Sequence, residues 1–310
     1  MRGTAVRKQL TRLGALIAAT SILAACGGTS AGDKAAAPET RKVEHAMGVA
    51  EVPADPKRVV VLDTGELDDT LALGVKPVGA VRIDVATGFL IYLEGQTEGI
   101  KEVGTISEPN LEKLAALEPD LILSSTVRHE EIYEQLNTIA PTVLAPDLGD
   151  TWKENFLLYA DALNKADKAE QMLAEFETKA AELGKKIGTD TSLSIVRFLP
   201  GEIRLYSDQS FSGVILTDMG LTVPQPAVGK ETFLELSPEQ VATAEADYVY
   251  VSTYGSEGDT DRAKVTGGPL WETIPAVKAG KVRDLNDDLI SGIGIQAAQQ
   301  ILAQFERELG

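Results

Sequence analysis

Residues 111–126 read LEKLAALEPDLILSST, and residues 238–253 read PEQVATAEADYVYVST in the same register without a gap. Glu112 matches Glu239, Asp120 matches Asp247, and the apolar positions between them agree in kind. Each copy predicts a helix, a turn and a buried strand. The repeat therefore indicates two related α/β units, although helix–strand patterns can also match by chance.

The chain between the two copies predicts a long connecting helix. Residues 152–186 contain one glycine and no proline, and their apolar residues fall at helical spacing. About 33 residues in a helix span roughly 50 Å, so this helix either wraps one large domain or connects two lobes. Short apolar strands on both sides of it imply parallel sheets covered by helices. They are predicted at residues 58–62, 78–81, 120–124, 142–144, 193–199, 203–206, 248–251 and 282–285. The predicted organisation is an N-terminal lobe at 43–150, a connecting helix at 151–188 and a C-terminal lobe at 189–310.

The N-terminus predicts an export signal followed by a lipid anchor. Basic residues precede an apolar run, 13–25, that is too short to span a bilayer. The run ends in LAAC at 23–26, which resembles the lipobox of bacterial lipoproteins and contains Cys26, the only cysteine of the chain. The resemblance implies a signal peptide at 1–25, palmitate on Cys26 and a tether at 26–42 on the extracytoplasmic face of the cell membrane. The alternative is an ordinary signal peptide with an incidental cysteine.

Composition and motifs argue against several classes of function. Lys and Arg number 29 against 47 Asp and Glu, which gives a net charge of -18 and a surface that repels nucleic acid. Two histidines and one cysteine are too few for a zinc site, and one cysteine cannot form an internal disulfide. The sequence has no nucleophile motif or phosphate loop, and the GIGIQA of residues 292–297 lacks the βαβ context of a dinucleotide site. We therefore expect neither an enzyme nor a scaffold lipoprotein, because two lobes favour a binding cleft.

Several segments resemble the iron-siderophore and cobalamin periplasmic binding proteins of ABC importers. They are PKRVVVL at 56–62, VGTISEPNLE at 103–112, LEPDLI at 117–122 and PLWETIPAVKAGKV at 269–282. In addition, VRFLPGEIRLY at 196–206 resembles actinobacterial ferric-siderophore binders. The resemblance implies two Rossmann-like α/β lobes with parallel sheets, joined by one long α-helix, with the ligand in the cleft between them. It also implies small opening motions about a single helical hinge.

The same resemblance directs attention to residues that could hold the outside of a ferric chelate. A siderophore fills the coordination shell of its iron, so we expect neither protein metal ligands nor a cofactor. Arginine donors suit the partly negative oxygens of the chelate, and aromatic rings suit its apolar periphery. The candidates are Arg82, Arg128, Arg197, Arg204, Tyr206 and Tyr254, with Tyr92 and Trp152 as weaker choices. Residues 286–291 contain no aromatic, which favours a hydroxamate-type ligand over a catecholate; cobalamin and haem are the alternatives.

Glu112 and Glu239 occupy the same position in the two copies of the repeat. In the family resembled, matching glutamates pair with arginines of a two-subunit permease. The resemblance therefore implies that a monomer of this protein docks through both residues on an ABC permease and ATPase complex. A carboxylate stabilised at the start of each helix would explain the same pattern without docking.

Overall fold

An antiparallel hairpin of β1 (Thr40–His45) and β2 (Gly48–Pro53) precedes the first lobe. This computed structural model describes residues 39–310 and, for residues 257–260, the backbone alone, so the predicted signal peptide and Cys26 lie outside the described residues. The predicted tether at 26–42 is too long, because β1 begins at Thr40. The error arises because this polar segment buries only alternate residues, such as Val43, against the lobe.

The N-terminal lobe contains a parallel sheet in the order β5-β4-β3-β6-β7. Its strands are β3 (Val59–Val61), β4 (Gly79–Arg82), β5 (Lys101–Thr105), β6 (Leu121–Ser125) and β7 (Thr142–Ala145). Its helices are α1 (Thr64–Ala72), α2 (Leu111–Ala116), α3 (Thr126–His129) and α4 (Tyr133–Ile139). Strands β3 and β6 are wholly buried, as expected of a sheet covered on both faces.

The connecting segment is helical but is not one helix. It consists of α5 (Trp152–Ala162) and α6 (Ala166–Ile187), so the predicted unbroken helix over 151–188 is wrong. Asn164 interrupts it with a φ of 57°, a left-handed conformation that asparagine tolerates better than most residues. The side-chain amide of Asn164 also donates to the carbonyl of Ala54 at 3.1 Å. The longer piece, α6, spans roughly 33 Å.

The C-terminal lobe contains a mixed sheet in the order β10-β9-β8-β11-β12. Its strands are β8 (Leu193–Leu199), β9 (Glu202–Tyr206), β10 (Phe233–Leu236), β11 (Tyr248–Thr253) and β12 (Val282–Asp284). Its helices are α7 (Phe211–Asp218), α8 (Gly255–Thr266), α9 (Pro275–Lys278), α10 (Asp287–Gly292) and α11 (Ile295–Leu309). The sequence patterns predict a parallel sheet for this lobe, but the structure has parallel and antiparallel pairs in one sheet. Only Pro200 and Gly201 separate β8 from β9, and such a short turn forces an antiparallel pair.

The internal repeat corresponds to equivalent positions in the two sheets. Strands β6 and β11 each stand fourth in their sheet and run parallel to the first strand of their lobe. Leu121 pairs with Val59 in β3, and the matching residue Tyr248 pairs with Leu193 in β8. The two lobes are therefore related in topology around these strands.

One apolar core runs through both lobes. It includes Val59 of β3, Phe156 of α5, Phe176 of α6, Val196 of β8 and Ile301 of α11, all almost fully buried. Helices α5, α6 and α11 thus link the sheets through side-chain packing as well as through the chain. Within residues 39–310, no helix combines the length and apolar character required to cross a membrane.

Candidate ligand-binding cleft

A cavity of about 520 Å3 lies between the two lobes. Arg128, which follows β6, lines it from the N-terminal lobe. The C-terminal lobe contributes Arg197 of β8, Arg204 and Tyr206 of β9, and Tyr254, which follows β11. Both Arg128 and Tyr254 stand just beyond the carboxyl end of a parallel strand, where ligands bind in open α/β sheets. The structure therefore brings five of the predicted residues together in one cleft.

Arg128 is fixed by a buried carboxylate. Its Nε donates to Oδ2 of Asp63 at 2.7 Å, and the Asp63 side chain is only 2% exposed. Asp63 is also the N-cap of α1, because its Oδ1 accepts from the backbone N–H of Thr64 at 2.7 Å. The charge of Asp63 raises the pKa of Arg128. The guanidinium is thus held by one edge, while its side chain remains 35% exposed.

Arg197 is the most enclosed of the cleft arginines. It donates to both carboxylate oxygens of Asp287, at 2.7 and 2.6 Å, and to Oγ of Ser291 at 2.5 Å. It also donates to the hydroxyl of Tyr206 at 3.2 Å, and its guanidinium carbon lies 4.8 Å from the centre of the Tyr254 ring. Burial opposes its charge, but Tyr206 and Asp287 raise its pKa overall. Arg197 therefore orients two of the aromatic residues of the cleft.

Arg204 occupies the next strand and is more open. Its guanidinium makes two hydrogen bonds to the Glu202 carboxylate, at 2.7 and 2.8 Å. The guanidinium carbon stands 4.2 Å from the centre of the Phe233 ring, which in turn packs edge-on against Tyr206. Arginine edges and aromatic faces thus alternate along this wall of the cleft.

A chain of hydrogen bonds joins the two lobes beneath the cavity. The hydroxyl of Thr64, at the start of α1, donates to the carbonyl of Ser291 in α10 at 2.6 Å. Asp63 next to it holds Arg128, and the Ser291 hydroxyl holds Arg197. Arginines from opposite lobes are therefore positioned by one connected set of contacts.

The remaining predicted ligand residues lie elsewhere. Arg82 donates to the carbonyls of Ile83, Asp84 and Ala86, at 3.1, 3.2 and 2.6 Å, and so holds the loop after β4. Tyr92 donates its hydroxyl to Asp68. Trp152 is 1% exposed in the core. The structure does not bring these three side chains into the cavity lining.

The cleft also contains residues that the sequence reasoning missed. Phe211, Phe233, Asp84 and Asp147 all line the cavity. Phe233 was missed because β10 was not predicted, although Phe233 and Leu234 open a short apolar run. Asp84 and Asp147 follow β4 and β7, so the same strand-end argument that found Arg128 could have found them.

Glu112 and Glu239 are both exposed in the first turn of a helix. Glu112 belongs to α2, and Glu239 to a 3-10 helix at Pro238–Ala244. The Glu239 carboxylate accepts hydrogen bonds from its own backbone N–H and from Ser237. These bonds lower the pKa of Glu239, so the side chain is charged at neutral pH. Neither residue lines the cleft.

Helix α1 carries two further buried carboxylates, Asp68 and Asp69, which contact the start of α11. Oδ1 and Oδ2 of Asp68 accept from the backbone N–H groups of Gln296 and Ala297, at 2.7 and 2.9 Å, and Asp69 accepts from Ile295 at 3.0 Å. These bonds cap the first turn of α11. Among the residues that the structure describes, no group of His, Cys, Asp and Glu is arranged to hold a metal ion.

This junction explains the glycines of the segment GIGIQA. A Cβ on Gly294 would lie 2.6 Å from Cβ and Cγ of Asp68, and one on Gly292 would overlap the Tyr92 hydroxyl. The glycines therefore allow α11 to approach the carboxylates of α1, which is a packing role and not a nucleotide site.

Comparisons with known proteins agree with this geometry. A family model described as periplasmic binding protein matches residues 59–289. The chain is 38% identical to the probable siderophore-binding lipoprotein YfiY of Bacillus subtilis, over 97% of this chain and 98% of the relative. It is 32% identical to the Fe(3+)-citrate-binding protein YfmC of the same species, over 91% and 90%.

A solved structure shows the same two-lobed fold. Staphylococcus aureus SirA, in its complex with staphyloferrin B, superimposes with a TM-score of 0.80 and 30% identity, over 87% of this chain and 98% of that chain. The fold and family resemblance inferred from the sequence are confirmed. YfiY and YfmC are named for siderophore and ferric citrate binding, and the SirA structure contains staphyloferrin B. The chain belongs to the periplasmic binding protein family.

Proposed function

We propose that this protein captures a ferric siderophore in the interlobe cleft and delivers it to an ABC importer without chemically changing it. The observation that carries the proposal is the convergence of Arg128, Arg197 and Arg204 on one cavity of about 520 Å3. Guanidinium groups supply planar donors for the chelate oxygens around iron. The iron is cargo within its chelator and requires no ligand from the protein.

The aromatic residues of the cleft support the same proposal. Tyr206, Phe211, Phe233 and Tyr254 all line the cavity and can cover the apolar parts of a chelate. Cobalamin and haem have less support, because the relatives reported above are named for siderophores or ferric citrate. We favour a hydroxamate-type siderophore, since residues 286–291 add no aromatic to the cleft.

A fluorescence titration tests the proposed function. Trp152 packs edge-on against the cleft residue Phe211 at 5.5 Å between ring centres, so its emission should respond when the cleft is filled. We expect ferric hydroxamates to quench this emission at low concentration. Apolar analogues of the iron-free chelators should cause no quenching. Saturable binding of cobalamin or haem, with no response to any ferric siderophore, would contradict the proposal.

Anchoring and docking complete the proposed function. We propose that Cys26 carries the lipid that holds the protein on the extracytoplasmic face of the membrane, and that the protein reaches its permease as a monomer. Changing Cys26→Ala should release the protein from the membrane fraction or leave an uncleaved precursor. Mature Cys26→Ala protein that still fractionates with membranes would contradict lipid anchoring.

A further inference from the structure

A second cavity, of about 650 Å3, lies in the C-terminal lobe, and we call it the outer groove. Its walls are the first residues of β9, the end of β10 with the 3-10 helix that follows, and one face of α8. Glu235, Pro238 and Gln240 of its lining are exposed, so the groove is open to solvent. None of its lining residues lines the interlobe cavity. The outer groove is therefore a separate surface feature.

Acidic side chains dominate the charge of the outer groove. Glu202, Glu235 and Asp261 line it together with one cation, Lys264, which pairs with Asp261 at 3.1 Å. Glu235 forms no ion pair with any side chain that the structure describes within residues 39–310. The exposed Glu239 lies between two lining residues of the 3-10 helix. A segment that carries arginine or lysine would complement this charge.

Glu202 connects the outer groove to the ligand cleft. It lines the groove, and its carboxylate accepts hydrogen bonds from Nε and Nη2 of Arg204 at 2.7 and 2.8 Å. Arg204 itself lines the interlobe cavity. Two bonds to one carboxylate fix the plane of the guanidinium, so Glu202 sets the direction in which Arg204 can donate to a ligand. A contact made in the groove can thus reach the cleft through one ion pair.

The register of the sheet places Glu235 beside this ion pair. Glu235 of β10 stands directly opposite Arg204 of β9, and directly opposed residues of an antiparallel pair share a face of the sheet. Glu202 is two residues from Arg204 on β9 and shares the same face. The two glutamates are therefore diagonal neighbours, within reach of one long side chain. A cation attracted by Glu235 arrives next to Glu202.

The ion pair is weak enough to exchange partners. The side chains of Glu202 and Arg204 are 25% and 26% exposed, and ion pairs in contact with solvent contribute little net stability. A second cation in the groove can therefore take Glu202 from Arg204. Arg204 then loses its fixed orientation, and a ligand has to order the side chain at a cost in affinity. For a ferric hydroxamate, which is neutral at its iron centre, this loss outweighs the charge that Arg204 regains.

We propose that the outer groove receives an arginine- or lysine-bearing segment of the permease, and that Glu202, by leaving Arg204 for that segment, loosens the hold of the cleft on its cargo. This inference rests on the proposed function and adds a docking surface and a release step. Occupation of the groove and occupation of the cleft then oppose each other, and by linkage each weakens the other.

Glu235→Gln tests the outer groove, because it removes one charge from an exposed side chain that does not line the cleft. Glu272→Gln is the matched control, an exposed carboxylate of the same lobe outside both cavities. The cargo is ferrichrome or ferrioxamine B carrying radioactive iron, at a concentration that saturates the binding protein. Cells that carry only Glu235→Gln should take it up at least threefold more slowly than cells with wild type or Glu272→Gln. The affinity of purified Glu235→Gln for the same complex should equal that of the wild type.

A double-mutant cycle tests the link between the groove and the cleft. Glu202→Gln keeps the size of the side chain and one acceptor for Arg204 but removes the charge. It should weaken hydroxamate binding about threefold in the otherwise wild-type chain and have no further effect in Arg204→Ala, because Glu202 acts through Arg204. A purely structural role of Glu202 would lower the affinity equally in both backgrounds.

The outcomes separate this inference from the proposed function. Normal uptake with Glu235→Gln, or loss of its siderophore affinity, would overturn docking in the outer groove. Additive effects in the cycle would overturn the release step, and siderophore capture stands in all of these cases. If neither hydroxamate complex binds, ferric citrate replaces it in the uptake comparison and in the cycle, with the same outcomes deciding. Wild-type protein that binds no ferric siderophore would overturn the proposed function itself.

Discussion

The cleft arginines differ in how far their removal would disturb the fold. Arg197 is 7% exposed and donates to Asp287, Ser291 and Tyr206, so its loss would leave the largely enclosed Asp287 carboxylate, 16% exposed, without its partner. Arg204 is half-buried, and its partner Glu202 can be solvated when it is removed. Arg204 is therefore the residue at which ligand binding can be tested without loss of structure.

Arg204→Ala should weaken ferric-siderophore binding by about 10- to 150-fold, which corresponds to roughly 1.5–3 kcal/mol for a charge-assisted hydrogen bond. Titration of the intrinsic tryptophan emission, to which Trp152 and Trp271 both contribute, measures the change. Arg262→Ala is the control, because Arg262 also pairs with an aspartate, Asp284, but does not line the cleft. Equal affinity in the wild type and Arg204→Ala would show that recognition depends on other residues.

Arg82 remains a candidate for an indirect role. Its bonds to the carbonyls of residues 83, 84 and 86 hold the loop that places Ile83 and Asp84 at the cavity. We therefore infer that any effect of Arg82 on binding acts through the position of this loop.

Glu66 makes stability depend on pH. Burial, together with the charge of Asp63, raises the pKa of Glu66 to about 8. The single hydroxyl proton of Tyr159 has two acceptors within reach, Glu66 at 2.8 Å and the carbonyl of Ser124 at 3.0 Å. When that proton goes to the Ser124 carbonyl, a protonated Glu66 can donate its own proton to the Tyr159 oxygen.

The free energy of unfolding should therefore fall as pH rises from 4.5 to about 8, because the folded protein keeps a proton that the unfolded chain releases. Glu66→Gln should reduce this slope by about 1 kcal/mol per pH unit. Urea unfolding across that range measures it, with the exposed Glu182→Gln as the control. An identical slope in the wild type and Glu66→Gln would show that Glu66 is ionised in the folded protein.

At the scale of elements, the junction of α1 with α11 depends on close approach. Gly294→Ala would place a methyl group 2.6 Å from the Asp68 side chain, whose carboxylate caps α11. We expect Gly294→Ala to destabilise the protein by about 1–3 kcal/mol. Gly88→Ala is the matched control, since a Cβ there meets nothing within 4 Å. Thermal unfolding compares the two, and equal midpoints would mean that the junction adapts without cost.

The elements also show what sequence patterns can predict. Buried strands such as β3, β8 and β11 were predicted within two residues, because they read as continuous apolar runs. The hairpin of β1 and β2 and the strand β10 were missed, because they bury only some of their residues. The break at Asn164 was missed because its cause is a backbone conformation and not a helix-breaking residue type.

The same reasoning applies to the cleft. Arg128 and Tyr254 were found because each follows a predicted parallel strand. The carboxylate partners of Arg128 and Arg197 could not be found, since Asp63 and Asp287 are distant from them in sequence and meet them only in the folded chain. Patterns locate the ends of strands, whereas the charge balance of a cleft requires the tertiary structure.

At the scale of the whole molecule, Glu112 and Glu239 provide one exposed carboxylate in each related lobe. Such a pair suits two symmetry-related cationic groups on a permease. These groups would attract the binding protein and also fix its orientation on the permease. Glu112→Ala combined with Glu239→Ala should leave siderophore affinity unchanged and impair uptake by cells. Full uptake by the double variant would exclude docking through these residues, and lost binding would place them in ligand recognition.

The continuous core beneath the two lobes has a practical consequence for anyone who builds an iron sensor from this protein. Because helices α5, α6 and α11 pack both sheets into one body, dyes attached to the separate lobes would report little change in distance when the cleft fills. An environment-sensitive fluorophore is better placed at Val127, which is 55% exposed and lines the cavity. There the signal would come from displaced water and not from bending of the scaffold.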